Sequence, residues 1–351
     1  MVLRPYSALN PESRALVRPR TLEIWPGLFP SRFLPQALRL VEHVGAKVTS
    51  LKFTRSIRGW LPVISTSFGS GALRKLVLHF MQESVDDQYQ GAINGTSTDL
   101  LISNNANLTT LALYGITDPF ALPNLPVLKD SLRNLTIRTW KPVVLYTDIY
   151  QSIAKFTKLA TVSIFEDLDS PDRNVKLDCL RQIANNLVEL EFDGFGLQFN
   201  LGVLPIFGHS VELKLKVLYL NRAGCSDKGF VDHLARTCPH LVDLTLRECS
   251  IDNIATVVYL LQKLGRTLKS LNVEGNRMEQ SVDSDEVAIK ELHSLLVEFG
   301  PIDLIADIKV MRRFNLAEVD CPTCRLYTIV EDDADRSMEL CIFCGCNLAQ
   351  E

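Results

Sequence analysis

The sequence predicts an α/β solenoid of about ten leucine-bearing repeats, with a parallel sheet inside, helices outside and a small cysteine module at the end. Three observations carry this. Leucine fills 54 of 351 positions and recurs as Leu-x-x-Leu-x-Leu. Several segments between the motifs have helical apolar spacing. Five of the nine cysteines fall in the last 31 residues. The balance of 46% hydrophobic and 22% charged residues is that of a folded chain, not a disordered one. A chain of this length buries a large core without disulfides.

The first motifs are Val48-Leu51-Phe53, Leu73-Leu76-Leu78 and Leu108-Leu111-Leu113. Leu132-Leu135-Ile137, Leu159-Val162-Ile164 and Leu187-Leu190-Phe192 follow. Leu215-Leu218-Leu220, Leu241-Leu244-Leu246, Leu268-Leu271-Val273 and a weaker Ile305-Ile308-Val310 complete the set. Most starts are 24 to 28 residues apart, within the range of leucine-rich repeats. The last two apolar residues of each motif flank a mostly polar one, which is a short strand with one buried face. Each strand joins a parallel sheet, and the chain returns over the outside.

Three return segments read as helices. Ser226 to Thr237 carries Phe230, Val231 and Leu234 on one face, Asp252 to Leu264 carries Ile254, Val257, Val258 and Leu261, and Glu286 to Phe299 carries Ile289, Leu292, Leu296 and Phe299. The long interval at Gln82 to Asn105 is polar, with Gly91 and Gly95, and reads as a surface loop. The acidic run Asp283-Ser284-Asp285-Glu286 suits a helix N-terminus, where the helix dipole favours negative charge.

The stretch from Cys238 through Leu241, Leu244, Leu246 and Cys249 to Ile251 resembles the cysteine-containing leucine-rich repeat. Cys225 with Ser226-Asp227-Lys228-Gly229-Phe230, and Asn276 in the Cys/Asn position, extend the likeness. This subtype is typical of F-box/leucine-rich-repeat proteins, the substrate receptors of cullin–RING ubiquitin ligases. The resemblance implies a receptor that presents a bound protein, and a ligase adaptor as a partner. The F-box itself is not discernible in residues 1–47, where one helical candidate, Leu34 to Val44, stands among six prolines. That segment is read as an N-terminal cap or the remnant of a preceding module, with the solenoid over 48–316. Cys225, Cys238 and Cys249 read as small buried packing residues.

Residues 317–351 hold Cys321-Pro322-Thr323-Cys324 and, sixteen residues on, Cys341-Ile342-Phe343-Cys344-Gly345-Cys346. Two Cys-x-x-Cys knuckles at this separation match a structural Zn²⁺ site with four thiolates, Cys321, Cys324, Cys341 and Cys344. Two intervening residues let both sulfurs of one turn reach the same ion. Cys346 is a spare that could replace Cys344. Leu326 to Val330 and Arg336 to Cys341 read as the strands of a zinc ribbon. Disulfides and free thiols are the competing readings. Four thiolates leave no open coordination position, so the metal is expected to be structural and to cap the solenoid.

No catalytic signature is present, neither HExxH, phosphate loop, dinucleotide fingerprint nor nucleophile elbow, and no enzyme activity is expected. Function is expected on the concave face. The central residue of each strand forms a column there: Lys52, Val77, Ala112, Thr136, Ser163, Glu191, Tyr219, Thr245, Asn272 and Lys309. Arg74, Lys75, Arg133, Arg138 and Glu166 lie beside it, then Arg222 and Arg247. Candidate partner-binding residues are Lys52, Arg74, Arg133, Glu191, Tyr219, Arg222 and Arg247, with Tyr219, Arg222 and Arg247 as the hot spot. Charge is uneven, with a net of +9 over residues 1–80 and −13 over the rest. Such patterning suits selection of a protein partner. A scaffold or inhibitor without a ligase link, and a nucleic-acid-associated zinc protein, are the alternatives. Eight acidic residues in 318–351 disfavour nucleic acid there. No apolar run reaches the roughly 20 residues of a membrane helix. Without an apolar leader at Met1 to Tyr6, a reducing compartment, cytoplasm or nucleus, is expected.

Overall fold

The computed structural model describes residues 20–24, 48–53, 65–66, 68, 71–80, 90–116, 122–139, 145–166, 173–193, 212–222, 228–251, 253–276, 278–279, 282–299, 302–305, 308–309, 316–320 and 327–331. The chain divides into two compact units, Met1–Asn186 and Leu187–Glu351.

In the first unit, parallel strands add in chain order. They are β1 (Thr21–Ile24), β2 (Ser50–Phe53), β3 (Lys75–His79), β4 (Thr110–Ile116), β5 (Asn134–Thr139) and β6 (Thr161–Phe165). The motif residues are in register from strand to strand: Leu51, Leu76, Leu111, Leu135 and Val162 align, as do Phe53, Leu78, Leu113, Ile137 and Ile164. All ten are fully buried. A one-residue slip would turn every one of them to solvent, so the apolar alternation itself fixes the register. β1 lies inside the segment read as a cap or remnant, and it carries Leu22 and Ile24 in the same register opposite Leu51 and Phe53. The helical candidate Leu34 to Val44 lies outside the described residues.

The returns are α1 (Gln90–Asn104), a 3-10 turn at Leu125–Leu128, α2 (Thr147–Ile153), and α3 (Arg173–Ile183) running into a 3-10 turn at Ala184–Asn186. Over Gln90–Asn104, α1 corrects the reading of Gln82 to Asn105 as a loop; residues 82–89 lie outside the described residues. Its buried side is Thr98, Leu101, Ile102 and then Asn105, a helical spacing hidden by polar residue types. Hydrogen bonds make that burial tolerable. The Asp99 carboxylate accepts from Asn124 N (2.8 Å) and Asn124 Nδ2 (2.7 Å), pinning the turn before Leu125.

In the second unit, β7 (Glu189–Asp193), β8 (Val217–Asn221), β9 (Asp243–Arg247), β10 (Ser270–Asn272) and β12 (Asp303–Ile305) form the parallel sheet. Its returns are α4 (Lys228–Thr237), α5 (Ile254–Leu264) and α6 (Val282–Phe299), at the three places the apolar spacing indicates. The acidic run 283–286 falls in the first turn of α6. Asn253 caps α5, its Oδ1 accepting from Thr256 N at 2.9 Å. Gly265 is required by packing, because a Cβ there would sit 2.5 Å from the Phe299 ring of α6.

The tenth motif is displaced. Leu304, not Ile308, aligns with Leu271, so Ile305 follows Asn272 in the column. Lys309 instead lies in β13 (Ile308–Lys309), opposite Glu279 of β11 (Met278–Glu279). These short strands form a second sheet, in the order β11-β13-β15-β14, with β14 (Leu316–Asp320) and β15 (Tyr327–Glu331). β14 and β15 are antiparallel, with Asp320 opposite Tyr327.

Candidate functional site

Side chains alternate across a strand, so the residues between the buried motif positions face away from the core. No described element covers that face in either unit. Its rows can be followed strand by strand through the register.

In the first unit, the row at the strand starts is Arg20, Thr49, Arg74, Thr109, Arg133 and Ala160. Each residue's N–H donates to the carbonyl of the one before, at 2.7–2.9 Å. Arginine stands at every second rung. Thr49 and Thr109 add hydroxyl bonds to the Arg20 and Arg74 carbonyls. The sequence-predicted Arg74 and Arg133 are therefore exposed residues of this edge and not of the central column. The column runs Glu23, Lys52, Val77, Ala112, Thr136 and Ser163. Lys52 is paired with Glu23 at 2.8 Å, which sequence reading did not foresee. Val77, Ala112 and Ser163 are small and buried beneath taller neighbours.

Those neighbours form a row that sequence reading missed as a unit: His79, Tyr114, Arg138 and Phe165, each directly after the last motif residue of its repeat. His79 stacks on Tyr114, with centroids 4.5 Å apart and planes 18° from parallel. The Arg138 guanidinium lies 4.2 Å from the Phe165 centroid and 5.9 Å from that of Tyr114, and it donates to Ser163 Oγ. The ring faces are thus turned on one another along the row. Partial burial and the nearby Lys52 charge hold the His79 imidazole below the usual histidine range, opposed by Glu23. Writing down the residue after each motif would have found this row.

In the second unit the column is Glu191, Tyr219, Thr245, Asn272 and Ile305. Tyr219 and Arg247 meet through their side chains, and Arg222 meets Arg247 through its backbone. Tyr219 is hydrogen-bonded to Arg247, and the Arg222 N–H donates to the Arg247 carbonyl at 2.8 Å. The Tyr219 bond, then the Glu274 charge, raises the Arg247 guanidinium above its usual value. Glu191 is half-buried beside Tyr219. Arg222 has a left-handed backbone, φ +55°, at the repeat position where Glu248 has φ +51° and Gly275 φ +75°. Arg222 is exposed at this recurrent bend.

Glu166 is not on the exposed face. It is buried at 3% exposure, where its carboxylate accepts from Leu145 N (2.6 Å), the Tyr150 hydroxyl and Lys176 Nζ (3.2 Å). Lys176 is itself 0% exposed, so the pair is internal to the first unit. Burial pushes the Glu166 carboxyl above the carboxylate range, with Tyr150 and Lys176 pulling it back. Burial likewise raises the Tyr150 hydroxyl well above its ordinary value.

The comparisons with known proteins give a limited likeness. No protein-family model matches the chain, and no curated protein matches it. Among solved structures, the chain is similar to the leucine-rich repeat-containing protein LegL7 from Legionella pneumophila. The two share 13% identity over 81% of each chain, with a TM-score of 0.40. The repeat architecture rests instead on the register of this chain's own leucines.

Within that architecture the Cys/Asn position has a definite task. Asn276 Oδ1 accepts from Cys249 N (2.7 Å) and Ile251 N (3.1 Å), while Nδ2 donates to Leu246 O (2.6 Å) and Val273 O (2.7 Å). One repeat earlier, Cys249 Sγ donates to Leu220 O (3.5 Å) and Arg247 O (3.2 Å). Cys249 is therefore a hydrogen-bonding residue as well as a packing one. Cys238 is buried, and its thiol is pushed up to about 11, so it is not a reactive thiolate. Cys225 lies outside the described residues.

Cys321, Cys324, Cys341 and Cys344, and the returning strand at Arg336 to Cys341, also lie outside the described residues. Among those described, no cluster of His, Cys, Asp or Glu could hold a metal. The hairpin is still informative. The connection between β14 and β15 is residues 321–326, so the first Cys-x-x-Cys joins two antiparallel strands. Among the described residues, no helix is long and apolar enough to cross a membrane.

Proposed function

We propose that this chain is a non-enzymatic protein-binding receptor or adaptor, similar to the F-box/leucine-rich-repeat proteins, that holds its partner on the uncovered sheet face. One observation carries the binding reading: each unit presents rows of ordered polar and aromatic side chains that no described element covers. Rigid, pre-positioned side chains bind with little ordering cost. The receptor subtype is supported by Cys249 and Asn276, which perform the same backbone-bonding task in successive repeats. Presentation of the partner for ubiquitination follows from that resemblance.

Affinity purification of the full chain tests both levels. A specific protein partner with a cullin–RING adaptor supports the receptor reading. A partner without adaptor leaves a scaffold or inhibitor. Recovery of nucleic acid alone, lost steeply with salt, sinks the protein-binding reading.

The paired Cys-x-x-Cys knuckles are proposed to hold one structural Zn²⁺ through Cys321, Cys324, Cys341 and Cys344. The antiparallel pairing of β14 with β15 on either side of the first Cys-x-x-Cys supports this, since a zinc ribbon carries a knuckle between two such strands.

A further inference from the structure

Resting on the protein-binding reading above, we infer that the sheet face of the first unit takes an acidic segment of a partner protein that also carries an apolar or aromatic side chain. The charge of this face is one-sided. Along its described rows the only carboxylate is Glu23, and that is bound to Lys52. Arg20, Arg74, Lys75 and Arg133 have no acidic residue beside them in those rows. The equivalent face of the second unit is mixed, with Glu189, Glu191, Asp193, Asp243, Glu274 and Asp303 set among Lys216, Arg222, Arg247 and Lys269.

Two neighbouring strands are about 5 Å apart, so arginines at alternate rungs of the edge repeat at about 10 Å. An extended segment crossing the strands can set a carboxylate near each one, since three residues of polyproline-II chain advance about 9 Å. Further along the same strands, the small residues Val77 and Ala112 lie low between this basic edge and the row that begins with His79 and Tyr114. An apolar side chain of the same segment would fill that low strip against the Tyr114 ring edge.

The π row argues for protein over nucleic acid. Single-stranded nucleic acid is gripped by bases stacking on free ring faces. Here His79 and Tyr114 cover each other, and Arg138 covers Phe165. At least one face of each ring is thus already taken, and the ring edges suit apolar and carboxylate groups.

The test is fluorescence anisotropy on the full chain with labelled random copolymers: poly(Glu,Tyr), poly(Glu) and poly(dT). The expected order is poly(Glu,Tyr) tightest, then poly(Glu), with poly(dT) weakest at equal ionic strength. Arg74→Glu with Arg133→Glu should weaken poly(Glu,Tyr) at least tenfold. Tyr114→Ala should remove the preference for the tyrosine-containing polymer. Circular dichroism checks that both variants fold. Arg74 and Arg133 are exposed, and a folded double variant that still binds overturns the inference. So does poly(dT) binding tighter than either acidic polymer. A purified partner that is lost with Tyr219→Ala and Arg247→Ala, but kept by the Arg74/Arg133 variant, overturns this inference and leaves the protein-binding reading standing. A chain that retains no protein partner removes that reading itself.

Discussion

Asn276 concentrates five backbone hydrogen bonds on one buried amide, two received and three given. Truncation would strand the N–H groups of Cys249 and Ile251 and the carbonyls of Leu246 and Val273 with no water to replace the amide. Each stranded buried group costs about 1–3 kcal/mol. Asn276→Ala should therefore lower unfolding stability by about 3 kcal/mol or more, read as a shift in urea midpoint. A shift below about 1 kcal/mol would show that the bend reorganises without it. At His79 the consequence is a pH dependence. Its imidazole titrates below the ordinary value when folded, so burying it favours the neutral form. The contribution is present above the unfolded pKa of about 6.5 and is lost as pH falls through the folded value. His79→Phe keeps a ring against Tyr114 but cannot be protonated. Its stability should fall less than that of the unaltered chain between neutral and mildly acidic pH. Identical slopes would refute the assignment.

At the scale of elements, the buried Glu166 joins the end of β6 to α2 through Tyr150 and to α3 through Lys176. Taking away one charge of a buried pair leaves the other uncompensated and costs about 3–5 kcal/mol, whereas replacing both by uncharged groups is far milder. Lys176→Met should accordingly be more damaging than Lys176→Met combined with Glu166→Gln, and a double-mutant cycle by thermal melting measures the difference. Additive losses would mean the pair is not coupled. The same cluster shows what sequence periodicity can reach. The spacing of Phe230, Val231 and Leu234, or of Ile254, Val257, Val258 and Leu261, is apolar and helical, so α4 and α5 were legible. The buried side of α1 is half polar, and only hydrogen bonds such as Asp99 to Asn124 make it an interior surface. Glu166 looked like a surface acid because the cation that admits it to the core lies ten positions on, in another element. The last repeat was misplaced because β12 is only three residues long, and Ile305-Ile308-Val310 offered a false match nearby.

Over the whole molecule, the repeats supply most of their own burial, but a solenoid's final strand leaves an open edge that some terminal structure must close. In the Leu187–Glu351 unit, three strands of the second sheet, β13, β14 and β15, follow the last repeat strand β12 in the chain, and β11 precedes it. β11 and β13 are two residues each, and an isolated two-stranded hairpin such as β14–β15 is marginal in water. Strands this short offer little apolar burial, and the proposed four-thiolate Zn²⁺ site would contribute on the order of 10 kcal/mol of apparent binding energy to folding. The chain purified without chelator should contain about one zinc per molecule by inductively coupled plasma mass spectrometry. Cys321→Ser with Cys324→Ser should lose the metal and lower the melting temperature, because metal binding and folding are linked in a structural zinc module. The spare thiol has its own outcome. Cys346→Ser should retain zinc and Cys344→Ser should lose it; the reverse would assign the fourth ligand to Cys346. Metal-free protein with an unchanged melt in the double variant would reject the site, and would leave the short strands to be held by packing alone.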